Sequence, residues 1–255
     1  MASAAPSRVA SLNLCTDSLL FELLDDAQIA SVTWLSRDTN LSYFHARAAH
    51  LPANHGAVEE IIALAPSLVV SGDNTDALAA QLLTKLGIDV LSLPTANRLD
   101  EYRANLRRLA HRLRVEARAE RLLAELDAAL PAPPQPPLRT LIYQPNGFTP
   151  GPASLMHEIL GYAGLSNLAG EIGFDYGGYI SLESLLLAKP AVIVFSARTA
   201  RLPSLAETQL EQPALAHLFA RAAAPVRRVS VPENLWTCAG TFNREAIALL
   251  RAARQ

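Results

Sequence analysis

The stretch VEEIIALAPSLVV, residues 58–70, is written a second time as LESLLLAKPAVIV, residues 182–194, without a gap. In each copy an acid opens an apolar helical run, a proline stops it and an apolar strand follows. Glu59 pairs with Glu183, Pro66 with Pro190 and Val70 with Val194. Self-similarity at the equivalent place in each half marks a repeated supersecondary unit. The chain is thereby constrained to two like halves. With 255 residues, half of them apolar and 18% charged, each half can bury a core.

The flanking sequence extends each half in the same style. In the first, RVASLNL (8–14) reads as a strand, CTDSLLFELL as a helix with Thr16 at its N-cap, and Ile29 to Thr33 as a second strand. Residues 67–71 and 88–93 are further strands, and Thr75 to Leu86 is a helix closed by Gly87. Residues 34–56 have no period but hold Trp34, Tyr43, Phe44, His45, His50 and His55, as a functional loop would. In the second half, strands are expected at 139–144, 191–195 and 226–231, with helices at 153–163, 182–188, 211–222 and 241–254. Short alternation of this kind implies a parallel sheet covered on both faces.

Between the halves, residues 99–130 contain neither Gly nor Pro, open with Asp100 and Glu101, and repeat apolar residues every three to five positions. They predict one continuous helix about 45 Å long, too long to hide in one small lobe. The expected organisation is an N-terminal lobe (8–98), a spine helix (99–130), a proline-rich linker (131–137) and a C-terminal lobe (138–255). The fold class is α/β: two Rossmann-like lobes with parallel sheets, joined by one long spine helix, with a ligand cleft between them.

Several function classes are disfavoured. A net charge of −2 gives no general attraction to nucleic acid or anionic membranes. No apolar run reaches the roughly 18 residues of a membrane span. The start lacks a basic n-region and an apolar h-region, so the chain is either cytosolic or has lost a signal peptide. Enzyme signatures are mostly absent: HEILG at His157 is not HExxH, GYAGL at Gly161 is not GxSxG, and no P-loop or GxGxxG appears. Cys15 and Cys238 make one disulfide or none, and unpaired buried thiols are the expectation.

In open parallel sheets ligands sit beyond the carboxyl ends of the strands. The candidates there are Asn13, Cys15, Thr16, Trp34, Leu35, Ser36, Tyr43, Gly72 and Asp73 in the first half. In the second they are Gln144, Phe148, Tyr176, Tyr179, Arg198 and Trp236. Trp34 and Trp236 are the favoured pair, because an aromatic face with one polar handle suits a flat macrocycle or chelate. Arg198 suits a ligand carboxylate or phosphate. His45, His50 and His55, five residues apart, match no compact metal-ligand motif, so no protein metal site is expected. One of them as an axial ligand to a macrocycle's metal is a variant of that reading.

Taken in order, RVASLNLCTDSLLFEL, the first repeat, the helix at 99–130 and the second repeat resemble the substrate-binding proteins of bacterial ABC importers. The similarity is to the helical-spine group that serves cobalamin, haem and ferric siderophores. The resemblance implies no catalysis and no cofactor, a corrinoid as ligand with ferric siderophore or haem as alternatives, and a periplasmic monomer. It implies modest lobe closure, and a partner permease dimer with its ATPase subunits, whose arginines would meet Glu59 and Glu183. The competing class is a tetrapyrrole metal chelatase-like enzyme, in which one of the three histidines would work with Glu171; turnover separates it from stoichiometric binding.

Overall fold

The computed structural model describes residues 8–73, 77–130, 132–197 and 226–254. Two units make up the chain: Met1–Ala129 with Thr237–Phe242, and Leu130–Trp236 with Asn243–Gln255. Both carry α/β architecture with parallel sheets. Among the described residues no helix is long and apolar enough to cross a membrane.

In the first unit β1 (Val9–Ser11), β2 (Ile29–Thr33), β3 (Ala53–Asn54), β4 (Leu68–Ser71) and β5 (Val90–Ser92) form one sheet, ordered β3-β2-β1-β4-β5. Every pair is parallel. The connecting helices are α1 (Leu14–Leu23), α2 (His45–Ala48), α3 (Val58–Ala63) and α4 (Ala77–Lys85). β1, β2 and β4 are buried along their whole length, as strands covered on both faces must be. The cap of α1 is Asn13, whose side chain accepts from the Cys15 N–H at 2.9 Å. Thr16, expected there, instead donates its hydroxyl to the Asn13 carbonyl at 2.9 Å.

The predicted spine helix is two helices. α5 (Leu99–Leu113) ends at Arg114, which sits in the left-handed region (φ 60°, ψ 42°), and α6 (Glu116–Ala129) starts afresh. Arg114 N–H bonds the His111 carbonyl at 3.3 Å and Val115 N–H the Ala110 carbonyl at 2.9 Å. This is the two-bond closure that normally uses Gly. The ion pairs Arg103–Asp127 and Arg107–Glu120 and the His111–Glu116 hydrogen bond then zip the two helices into an antiparallel hairpin. Folding back lets α5 bury Tyr102, Leu106 and Leu109 and α6 bury Ala119, Leu123 and Leu126 in the first unit. A straight rod would leave one of these stripes in water. Both helices thus belong to the first unit, as does the late segment 237–242, which moves the expected lobe boundaries.

The second unit contains β6 (Leu138–Ile142), β7 (Phe148–Pro150), α7 (Leu155–Tyr162), β8 (Leu165–Asn167), β9 (Gly177–Tyr179) and α8 (Leu182–Leu187). β10 (Val192–Ala197), β11 (Arg227–Pro232) and α9 (Asn243–Ala252) complete it. Its main sheet is parallel, ordered β11-β10-β6-β8, and β7 with β9 forms a separate antiparallel ribbon. The proline-rich linker is tied down here: the Arg254 guanidinium donates to the carbonyls of Pro134, Pro136 and Gly164. The helix expected at 211–222 lies outside the described residues.

The written repeat is a folded repeat. α3 and α8 have the same length, and each is followed by a left-handed residue just before the aligned proline, Ala65 (φ 44°) and Lys189 (φ 47°). Ser67 N–H bonds the Arg8 carbonyl and Ala191 N–H the Arg139 carbonyl, both at 2.8 Å. The guanidinium of Arg8 reaches the Leu64 carbonyl at 3.2 Å, and that of Arg139 the Ala188 carbonyl at 3.1 Å. In both units an arginine at the start of the first strand caps the end of the repeat helix.

Candidate functional site

Strand order in the first unit reverses between β1 and β4, so their carboxyl ends diverge and leave a crevice. A cavity of about 190 Å³ opens there, lined by Asn13, Cys15, Thr16, Gly72, Asp73, Thr95, Tyr102 and Asn105 among others. Asn13 also lines a neighbouring depression of about 320 Å³ that includes Trp34, Leu35 and His55. Gly72 packs beneath Asn13: a Cβ there would lie 3.0 Å from the Asn13 Nδ2 and would press on the cap of α1. Of the sequence candidates, Asn13, Cys15, Thr16, Trp34, Leu35, Gly72 and Asp73 come together on this edge.

Trp34 is 51% exposed and stacks on the His55 ring with centroids 6.2 Å apart. His55 is held in turn by Glu60, whose two oxygens take its backbone N–H at 2.7 Å and meet its Nδ1 at 3.2 Å. Asp73 accepts from the Thr95 hydroxyl at 2.8 Å and the Thr95 N–H at 3.1 Å. Burial opposes its ionisation, but these two bonds hold its carboxyl below the usual range. Tyr43 turns the other way, stacked on Phe242 at 4.8 Å and edge-on to Phe44. Ser36 is fully buried with its hydroxyl donated to Asp17 at 2.7 Å, a correction to the ligand contact expected of it.

The floor of the cavity is fixed by a group that sequence reading missed. Glu22, 5% exposed, accepts from the Tyr102 hydroxyl at 2.7 Å and from the Thr241 N–H and hydroxyl at 2.8 and 2.6 Å. Burial and the charge of Glu22 push the Tyr102 phenol well above its ordinary pKa. Beside it Cys15 and Cys238 form a disulfide, overturning the expectation of unpaired thiols. An acid inside the otherwise apolar run LLFELL is the signal that could have found Glu22.

In the second unit Phe148 and Tyr179 face each other across the β7–β9 ribbon, with centroids 5.5 Å apart. Tyr179 is 72% and Tyr176 84% exposed, so this ribbon gathers three predicted aromatics into one largely open group. The GGY run is dictated by packing: a Cβ on Gly177 would meet the Phe148 ring at 2.8 Å, and one on Gly178 the Phe174 ring at 2.3 Å. Gln144 reaches the Ser196 hydroxyl at 3.3 Å at the ends of β6 and β10. Trp236, favoured as a ligand contact, is 1% exposed and is a core residue. Arg198 lies outside the described residues.

Glu59 and Glu183 occupy the first turns of α3 and α8, and both are exposed. A bond from the Ser181 side chain holds the Glu183 carboxyl below its usual range. Among the described residues no three His, Cys, Asp or Glu side chains gather as they would around a metal ion. Glu171, the acid of the competing chelatase reading, is taken by the Arg139 guanidinium at 2.8 and 3.1 Å.

The family model described as periplasmic binding protein matches residues 9–234. No curated protein matches the chain significantly. Solved structures do. A periplasmic haem-binding protein from Roseiflexus is 20% identical with TM-score 0.77, covering 98% of this chain and 99% of the other. One from Vibrio cholerae is 19% identical with TM-score 0.77, covering 96% and 97%. The periplasmic vitamin B12-binding protein of Vibrio cholerae is 19% identical with TM-score 0.67, covering 98% and 96%. With two parallel-sheet units, a written and folded repeat and a family match across most of its length, this chain belongs to the periplasmic binding protein family, a family of solute binders rather than enzymes.

Proposed function

We propose that the chain is the extracytoplasmic solute-binding component of an ABC importer, capturing a metal-bearing organic nutrient, a corrinoid first, and delivering it to a permease dimer with its ATPases. The observation that carries this is the exposed aromatic group that each unit presents by itself: Trp34 over His55 in the first, Phe148 with Tyr176 and Tyr179 in the second. Broad apolar faces beside a few polar groups suit a large planar chelate. A disulfide supports an oxidising compartment.

Glu59 and Glu183 are the docking acids in this reading. The neighbouring Glu60 is committed to His55, whereas Glu59 makes no hydrogen bond or ion pair among the described residues. A matched pair of exposed carboxylates from a repeat suits a two-fold partner that presents arginines.

Haem is the second reading, favoured by one observation. With Nδ1 of His55 on Glu60, its Nε2 is left without a hydrogen-bond partner on a side chain two-thirds exposed, as an axial ligand requires. Titration calorimetry against cobalamin, haemin, a ferric hydroxamate and free metal ions tests both. Saturable 1:1 binding of cobalamin supports the first reading, and haemin binding lost in His55→Ala supports the second. Binding of free metal ions alone, or of none of these, refutes the proposal.

A further inference from the structure

We infer that Asp17 is a positioning residue for Trp34, setting the pose of the aromatic face on the first unit's carboxyl edge. This rests on the reading of that edge as a solute-binding surface. Asp17 sits in the first turn of α1 with no exposed surface. One of its oxygens, Oδ2, accepts three hydrogen bonds: from the Thr33 N–H at 3.0 Å, the Thr33 hydroxyl at 2.5 Å and the Ser36 hydroxyl at 2.7 Å. Thr33 precedes Trp34 and Ser36 follows it by two. A single buried oxygen therefore grips both sides of the residue that carries the exposed ring.

Elsewhere the turn is held by the Arg37 guanidinium, which donates to the Leu51 carbonyl at 2.6 Å, and by Leu35 against Leu14, Cys238 and Phe242; neither reaches the residues on either side of the ring as Asp17 does. Trp34–Arg37 is a four-residue 3-10 segment, the short kind with poor internal hydrogen bonding, and its cap makes no side-chain bond. The Trp34 ring has solvent over half its surface and one aromatic neighbour. Hydrogen bonds to a charged acceptor are roughly twice as strong as neutral ones, so the carboxylate is a strong restraint on both Thr33 and Ser36. Burying a carboxylate among uncharged donors costs stability, and an apolar residue would serve the core better. A residue that breaks the local rule in this way is expected where geometry matters for function.

The test uses the Trp236→Phe variant, in which Trp34 is the remaining indole of the two in the chain. Acrylamide quenching of Trp34 is measured without any ligand in this background and in Asp17→Ala and Asp17→Asn, with circular dichroism to verify folding. Asp17→Ala is expected to raise the quenching constant, and Asp17→Asn, which keeps one acceptor oxygen, to restore most of the protection. For cobalamin or haemin, whichever binds, Asp17→Ala and Trp34→Ala should each weaken affinity roughly tenfold. The double variant should lose no more than Trp34→Ala alone. Unchanged quenching in a folded Asp17→Ala, or losses that add in the double variant, would overturn the inference. If Asp17→Ala fails to fold, Thr33→Val with Ser36→Ala, which removes both hydroxyl donors to Asp17, takes its place: raised quenching supports the inference and quenching at the wild-type level overturns it. If neither probe binds, the ligand reading fails and quenching alone decides the role of Asp17.

Discussion

Asp17 also carries a stability effect whose sign is opposite to that of a salt-bridged acid. Burial, only partly offset by the hydroxyls of Ser11, Thr33 and Ser36, raises its carboxyl from 3.8 to about 6. Between these values the folded state holds a proton that the unfolded chain has released. Its stabilising share is therefore complete below the unfolded pKa and is lost as pH rises through the folded one. Asp17→Asn should raise the unfolding free energy at pH 7 by up to about 3 kcal/mol and flatten its slope between pH 4 and 6. Urea titrations at pH 5 and 7 check this; a destabilised variant at pH 7 with an unchanged slope contradicts it. At this scale the sequence shows which residue types stand near strand ends: Trp34 and Asp73 line depressions on the first unit's edge, and Tyr176 and Tyr179 are exposed. Ser36 and Trp236 were misplaced because burial is decided by neighbours distant in the chain.

Among the elements, those with local signals were legible. Pro66 and Pro190 stop helices in place, Gly87 closes α4, and apolar runs of three and five residues mark β4 and β10. The break between α5 and α6 had no such signal, because its left-handed position is filled by Arg114 instead of Gly. Tertiary gain overrode local helix propensity: folding back buries two apolar stripes where a rod would bury one. A non-glycine residue in this conformation costs about 1–2 kcal/mol, partly balanced by the unfolded-state freedom that Gly would add. Arg114→Gly should therefore stabilise the protein by on the order of 0.5–1 kcal/mol, read as a higher urea midpoint with unchanged slope. A lower midpoint would mean that the Arg114 side chain makes a contribution of its own.

For the molecule as a whole, the repeat made two α/β units readable, but not that the chain returns from the second to the first at Thr237–Phe242. Cys15 and Cys238 are 223 residues apart, and no sequence spacing brings them together. Closing so long a loop stabilises by on the order of 5 kcal/mol in the chain-entropy account. Cys15→Ser with Cys238→Ser should accordingly lower the melting temperature of the first unit; an unchanged value would show that the Glu22–Thr241 bonds and the Tyr43–Phe242 stack hold the segment unaided. The central claim, capture of a solute and its delivery to an importer, is tested most directly by ATP-driven uptake of the bound ligand into vesicles bearing the permease. With Glu59→Ala and Glu183→Ala together, ligand affinity should stay within about twofold of wild type while uptake is abolished. Uptake at the wild-type rate in that double variant would contradict the account.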